Sequence, residues 1–229
     1  MNKTTHDYYA PKQSEHHDHD HAHDHDHDDH APINEHDNGP PSEYEIMSRA
    51  MQELLEQKGL LTAAQVAKRM ELFDEEFPYH GAQVVARAWV DPAFKQRLLA
   101  DGRAACAEMG TMLEAERLIA VENTPEVHNV IVCTLCSCYP RALLGMPPTW
   151  YTSRNYRSRV VFEPRAVLKE FGTALPDNVT VRVHDSNADM RYLVVPMRPQ
   201  GTDGWNEEQL AQILSRDMLV GVTVPSVSG

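Results

Sequence analysis

Over residues 42–110 the apolar positions recur with a helical period, and beyond residue 116 they bunch and alternate as strands do. Ser42 and Glu45 carry the signature of a capping box. Ile46, Met47, Ala50, Met51, Leu54 and Leu55 then line one face of a first helix, which Gly59 ends. Thr62 and Gln65 repeat the signature and open a second helix, whose apolar stripe continues through Val66, Met70 and Phe73. A third helix is expected over residues 82–90. Asp91-Pro92 reads as an N-cap followed by proline at the first helical position, opening a fourth helix that runs toward Met109 and carries Cys106 as a small buried apolar residue. "RLIAVE" (117–122) and "NVIVC" (129–133) read as buried strands, and "VTVRVHD" (179–185) with "RYLVVP" (191–196) as a hairpin across "SNAD". Further helices are expected over 158–171, closed by Gly172, and over 206–216. The order predicts an α+β fold with three parts: a tail (1–41), a helical N-terminal arm (42–110) and a layered α/β domain (111–229).

Charge changes the picture at one end only. The 229 residues carry a net −13, and residues 1–40, with ten Asp/Glu against two Lys, hold −8 of it. No basic stripe accompanies this, so a nucleic-acid partner is not expected. No apolar run approaches a membrane span, and "MNKTTHDYYAPKQSEHHDHD" lacks the apolar region of a secretory signal, so a cytoplasmic, membrane-free protein is expected. Ten of the thirteen histidines lie in the tail, concentrated in "HHDHDHAHDHDHDDH". A tail so polar is expected to be disordered and to bind divalent cobalt, nickel, copper or zinc weakly through imidazole and carboxylate.

The candidate chemistry is in "VIVCTLCSCYPRALLG" (130–145), where Cys133, Cys136 and Cys138 fall within six residues. Structural zinc and four-iron clusters want four ligands, and no second C-x-x-C exists to complete them. Clustered thiols of this kind more often bind metal or do redox chemistry than form a disulfide framework. A compact mononuclear site remains. Three thiolates so close in sequence can surround one ion only if the chain folds tightly over it, which forces the backbone amides of Ser137 and Cys138 toward the metal. Such a donor set favours a trivalent iron or cobalt over zinc and leaves one position open for water or substrate.

"VCTLCSCYP" resembles the metal-binding motif of the nitrile hydratase α subunit and of the related thiocyanate hydrolase γ subunit. The resemblance continues through "VVARAWVDP" (84–92), "PPTWY" (147–151), "YRSRVV" (156–161), "EPRAVL" (163–168), "RYLVVP" and "GTDGW" (201–205). It implies a helical arm that wraps a β-type partner subunit, with the metal loop at their interface. It implies that Cys133, Cys136 and Cys138 are metal thiolates, that the Ser137 and Cys138 amides complete the base, and that Cys136 becomes a sulfinate and Cys138 a sulfenate. The partner's arginines would hold those oxidised sulfurs. Thr134 and Tyr139 match the cobalt-type pattern, where iron-type members carry Ser and Thr, so non-corrin Co(III) is expected rather than Fe(III). A maturation or activator protein is implied as well.

The chain departs from the nitrile hydratase pattern at Arg141 and Ala142, which stand where Trp and Pro are usual. Thiocyanate hydrolase γ subunits resemble it in that arginine and in a His/Asp-rich N-terminus. An arginine there suits an anion such as thiocyanate, a polar group on a nitrile, or an ion pair across a subunit interface. Glu114 falls about where family members carry a glutamine near the site. The expected function is therefore the α subunit of a cobalt nitrile hydratase, an enzyme active only with one β-type chain or with that role split over two. Cys138, Ser137 and Arg141 are its candidate catalytic residues and a nitrile, polar or bulky, its substrate. The alternatives are a thiocyanate hydrolase γ subunit, converting thiocyanate to carbonyl sulfide and ammonia, and a metal-carrying subunit used in maturation. Arg157, Arg159, Asp185 and Arg191 are candidates for hydrogen bonds that support the metal loop. Trp89, Trp150 and Trp205 read as core or interface anchors.

Overall fold

Thr62 and Gln65 satisfy each other's backbone at the start of a helix. The Gln65 N–H donates to Thr62 Oγ1 at 3.2 Å and the Thr62 N–H to Gln65 Oε1 at 2.8 Å, the reciprocal box that the sequence signals. This computed structural model describes residues 40–41, 43–75, 77–113 and 117–227; the His/Asp-rich tail, the Ser42 cap and Glu114 lie outside them. α1 (Glu43–Gln57) ends just before Gly59, whose φ of +65° suits glycine. α2 is Ala63–Glu75 and α3 Phe77–Val90, the latter starting five residues before the expected 82. The apolar face of α1 is left uncovered: Ile46, Met47, Met51 and Leu54 are 48–57% exposed. The core instead gathers Val84, Val85 and Ala88 of α3 with the strands that follow.

Asp91 caps α4 (Pro92–Ala100) as expected, its Oδ1 accepting from the Ala93 and Phe94 N–H groups at 3.0 Å. The helix does not continue to Met109. Asp101 turns extended and caps a separate α5 (Gly102–Glu108), because the chain must bend around β1 (Arg117–Glu122). A Cβ on Gly102 would stand 2.8 Å from the Leu118 carbonyl oxygen, so only glycine permits that approach. Cys106 is buried, and burial pushes its thiol up to about 12.

β2 (Val127–Val132) follows β1, and a run of short helices leads on: α6 (Arg141–Leu144), α7 (Thr149–Thr152), α8 (Arg154–Phe162) and α9 (Pro164–Glu170). The single helix expected over 158–171 is broken, since Pro164 disfavours helical backbone at Glu163 and starts a new N-terminus. Arg159, buried at the end of α8, ties the two pieces together through Glu163 and Glu170. The helix expected over 206–216 likewise divides into α10 (Glu207–Gln212), with a full capping box at Asn206 and Gln209, and α11 (Arg216–Val220).

β3 (Thr180–Asp185) and β4 (Met190–Val195) do not form the expected hairpin. β3 pairs in parallel with β2 and β4 in parallel with β1. The "SNAD" turn is real, closed by Asn187 and Met190 on each other's backbone, but it carries the chain from one strand pair to the other. A hairpin signal is local, whereas burial decides pairing here: β2 is buried along nearly all its length and takes its neighbour from across the helical crossover.

A buried polar network joins the corner between β1 and β2 to β3 and to the end of α11. Asn123 Oδ1 accepts from the Asn129 N–H at 2.8 Å, and Asn129 Oδ1 lies 2.8 Å from His184 Nε2. His128 Nε2 lies 2.7 Å from the Gly221 carbonyl, and its Nδ1 lies 3.3 Å from Asn123 Nδ2. Since Asn123 Oδ1 is already engaged by Asn129, Nδ2 faces the ring and Nδ1 must be the bare acceptor. Desolvation lowers His128 from its ordinary 6.5, despite the opposing bond to Gly221, and protonating Nδ1 would set N–H against N–H. The unfolded chain therefore takes up a proton that the fold resists, so stability is present above 6.5 and falls as pH drops below it. The urea midpoint should fall between pH 7.5 and 5.5; a flat or rising midpoint would contradict the neutral, buried His128.

Candidate metal centre

The loop of Cys133, Thr134, Leu135, Cys136, Ser137 and Cys138 starts where β2 ends. Val132 is in register with Asp185, the last residue of β3, so the parallel pair delivers a carboxylate beside the loop. Asp185 grips Thr134 twice: Oδ1 accepts from the backbone N–H at 2.9 Å and Oδ2 from the hydroxyl at 2.6 Å. On the other side, Arg157 of α8 donates from Nη1 to the Leu135 carbonyl at 3.2 Å and, at a longer 3.4 Å, to that of Thr134. Tyr151 Oη donates to the Cys138 carbonyl at 2.9 Å, and Tyr156 Oη to Ile131 at 2.6 Å, one residue before the end of β2. Tyr151 packs edge-on against Tyr139 at 4.9 Å, and Tyr156 against Trp150 at 4.9 Å, so an aromatic floor underlies the loop.

The three sulfurs converge. Cys133 and Cys136 Sγ are 3.8 Å apart, Cys136 and Cys138 Sγ 3.2 Å, and all three lie within 4.8 Å of one another. Sulfurs about 2.3 Å from a shared ion would sit about 3.3 Å apart at a right angle and about 3.8 Å at the tetrahedral angle, so the spacing fits one ion. Ser137 has φ of +70°, alone among the described non-glycine residues in being positive. Such strain persists where surrounding contacts over-determine the backbone, as the Asp185, Arg157 and Tyr151 bonds do here.

The sulfurs are electrostatically unlike. Burial pushes the Cys133 thiol up, but N–H groups of Cys136, Cys138 and Leu135 directed at the sulfur outweigh it, and the thiol ends below its ordinary 9.0. Burial, the hydrogen bond with Cys136 and the charge of Cys133 push Cys138 up to about 12, while Arg191 pulls it down. Cys133 is buried, Cys138 half-buried and Cys136 exposed, and Leu135 at the tip is 81% exposed.

The structure brings together Cys133, Cys136, Ser137 and Cys138. Arg141 lies close in sequence, exposed at the start of α6, with its backbone N–H on the Tyr139 carbonyl at 2.9 Å. Asp185 and Arg157 support the loop as the sequence suggests, and Arg191 acts on Cys138 by charge. Arg159 does not take part, being held by Glu163 and Glu170. Trp150 is a core anchor, and Trp89 donates from Nε1 to the Pro196 carbonyl at 2.8 Å. Tyr151 and Tyr156 support the loop as well; in the sequence they stand only as parts of "PPTWY" and "YRSRVV", and the fold alone aims their hydroxyls. Replacing Asp185 by Ala should weaken metal retention by about 10–100-fold, the usual cost of removing a partner behind the ligands, as read by metal release to a chelator at constant fold content.

Three comparisons bear on this site. The family model "Nitrile hydratase, alpha chain" matches residues 42–223. The chain is 50% identical over 177 residues to the cobalt-containing nitrile hydratase subunit alpha of Pseudonocardia thermophila, covering 76% of this chain and 87% of that one. It is 45% identical over 196 residues to the thiocyanate hydrolase subunit gamma of Thiobacillus thioparus, covering 80% and 81%. The structure of an Fe-type nitrile hydratase double mutant from Comamonas testosteroni Ni1 superposes with a TM-score of 0.71 at 42% identity, covering 81% of this chain and 92% of that one.

Proposed function

The chain belongs to the nitrile hydratase alpha-chain family, and on that premise we propose that it is the α subunit of a cobalt-type nitrile hydratase, which adds water across a nitrile to give the amide. The observation that carries the reading is the convergence of Cys133, Cys136 and Cys138 within 4.8 Å around a strained Ser137. Cys133, Cys136 and Cys138 would hold non-corrin Co(III) through sulfur, with the Ser137 and Cys138 amides as its further donors. When bound, the ion supplies Lewis acidity toward a nitrile nitrogen or a water. Cys133 anchors the buried side, and Cys136, as sulfinate, with Cys138, as sulfenate, forms the side that substrate reaches. Asp185 and Tyr151 restrain the loop backbone, so the donors need not reorganise as charge develops. The β-type partner, as one chain or two, closes the exposed side where Leu135 and Cys136 meet solvent, and a maturation protein delivers the metal. Among the described residues no helix is long and apolar enough to cross a membrane.

The thiocyanate reading has its own support. Arg141 is exposed beside the loop, no carboxylate among the described residues pairs with it, and a thiocyanate hydrolase subunit is 45% identical to the chain. There the guanidinium would take up the anion, whose hydrolysis yields carbonyl sulfide and ammonia.

Both readings meet in one experiment on the assembled complex, assayed with a panel of neutral nitriles and with thiocyanate. Amide should form from nitriles, and Arg141→Ala should leave KM for a small neutral nitrile within about twofold, since no charge is recognised. Thiocyanate turnover with no nitrile hydrated, and a raised KM in Arg141→Ala, would decide for the second reading. Cys138→Ser should lower kcat by more than about 100-fold on either, because losing a ligand costs at least as much as losing its outer partner.

A further inference from the structure

Arg157 donates from its side chain to the backbone of the cysteine loop itself. No carboxylate among the described residues pairs with it, and the loop-facing nitrogen Nη1 goes to two backbone carbonyls, Leu135 at 3.2 Å and Thr134 at 3.4 Å. Those carbonyls are not interchangeable with others in the loop. The Leu135 carbonyl shares its peptide with the Cys136 N–H, which donates to Cys133 Sγ at 3.2 Å. One cation therefore holds the carbonyl end of the peptide whose N–H end points at the buried sulfur, and the carbonyl of the peptide before it.

A cation on a carbonyl oxygen draws electron density through the conjugated peptide and makes its N–H a stronger donor; successive hydrogen bonds polarise one another in this way. The guanidinium is suited to this because it stays charged and offers fixed donors, where a lysine ammonium would be a mobile point charge. The effect is directed at Cys133, the buried sulfur of the three. Asp185 fixes the opposite side of the same residue, through the Thr134 N–H and hydroxyl, so Thr134 is clamped between a cation on its carbonyl and an anion on its N–H.

We propose that Arg157 is a positioning residue of the metal centre: through the Leu135–Cys136 peptide it orients and strengthens the N–H donor on Cys133 Sγ, and so sets how strongly that sulfur donates to the metal. Hydrogen bonds to a thiolate lower the energy of its lone pairs. Weakening them raises that energy and moves the sulfur-to-metal charge-transfer absorption to longer wavelength. The inference rests on the reading of the loop as a metal site, and the parent complex tests that reading separately by its cobalt content.

The experiment compares Arg157→Lys and Arg157→Met with the parent in the complex assembled with its partner chains. The readouts are cobalt content, the charge-transfer band, circular dichroism, and kcat with KM. The band should move to longer wavelength in Arg157→Met and by less in Arg157→Lys, with the fold intact in both. The kcat should fall about tenfold in Arg157→Met with KM nearly unchanged, as befits a residue acting through a ligand rather than on substrate. Loss of cobalt in Arg157→Met with its circular dichroism intact, while Arg157→Lys keeps cobalt and shows the smaller shift, also supports the role. An unmoved band in a cobalt-replete Arg157→Met overturns it, as does unfolding of both variants alike, which would make Arg157 a tether of the fold. A parent that holds no metal would instead remove the premise.

Discussion

Val132 stands opposite Asp185 in the parallel pair of β2 and β3, and the metal loop hangs from that register. The loop must bring three sulfurs together and hold Ser137 at a positive φ, which costs about 1–3 kcal/mol. Nothing within six residues can supply that. The carboxylate comes from the end of β3, fifty-one residues on, and reaches Thr134 because parallel pairing sets the C-terminal ends of both strands side by side. In open α/β sheets such strand ends are where ligand sites form, and this loop follows the rule with thiols in place of a phosphate cradle.

The surroundings then fix what the register begins. Tyr151 and Tyr156 rise from a floor of packed rings, and each donates to a backbone carbonyl flanking the sulfurs. Arg157 and Asp185 act from opposite sides on Thr134. A hydrogen bond to a charged group is worth about 1.5–3 kcal/mol, so the clamps together exceed the strain they restrain. The buried end of the loop, at Cys133, is where these restraints converge. The exposed end, at Cys136 and Leu135, is open to solvent.

That exposed end matches another unsatisfied feature. α1 turns Ile46, Met47, Met51 and Leu54 outward, and an exposed apolar stripe of this kind is characteristic of an interaction surface. The helix periodicity is obeyed, but within the described residues the face it creates has no core to enter. A chain of a family whose members are named as subunits, with both its apolar arm and its sulfur loop open, fits the reading that the site is finished by another chain.

The sequence by itself determined the elements and the claw. Period, caps at Thr62 and Asp91, and the stops at Gly59 and Gly172 are local, because a helix end is satisfied by residues within a turn of it. The spacing of Cys133, Cys136 and Cys138 is local too, so the clustering of the three sulfurs was legible along with the family. Breaks at Asp101 and Glu163 were harder: the first answers to Leu118 on a strand not yet formed, and the second to Pro164, read as part of a motif rather than as a breaker. Only the tertiary structure decided that "VTVRVHD" and "RYLVVP" part company at "SNAD", that Arg159 belongs to Glu163 and Glu170 while Arg157 belongs to the loop, and that Tyr151 and Tyr156 aim their hydroxyls beneath it. Each of these depends on which distant segment buries which strand. Burial is a property of the whole chain, and no window of sequence around a residue contains it.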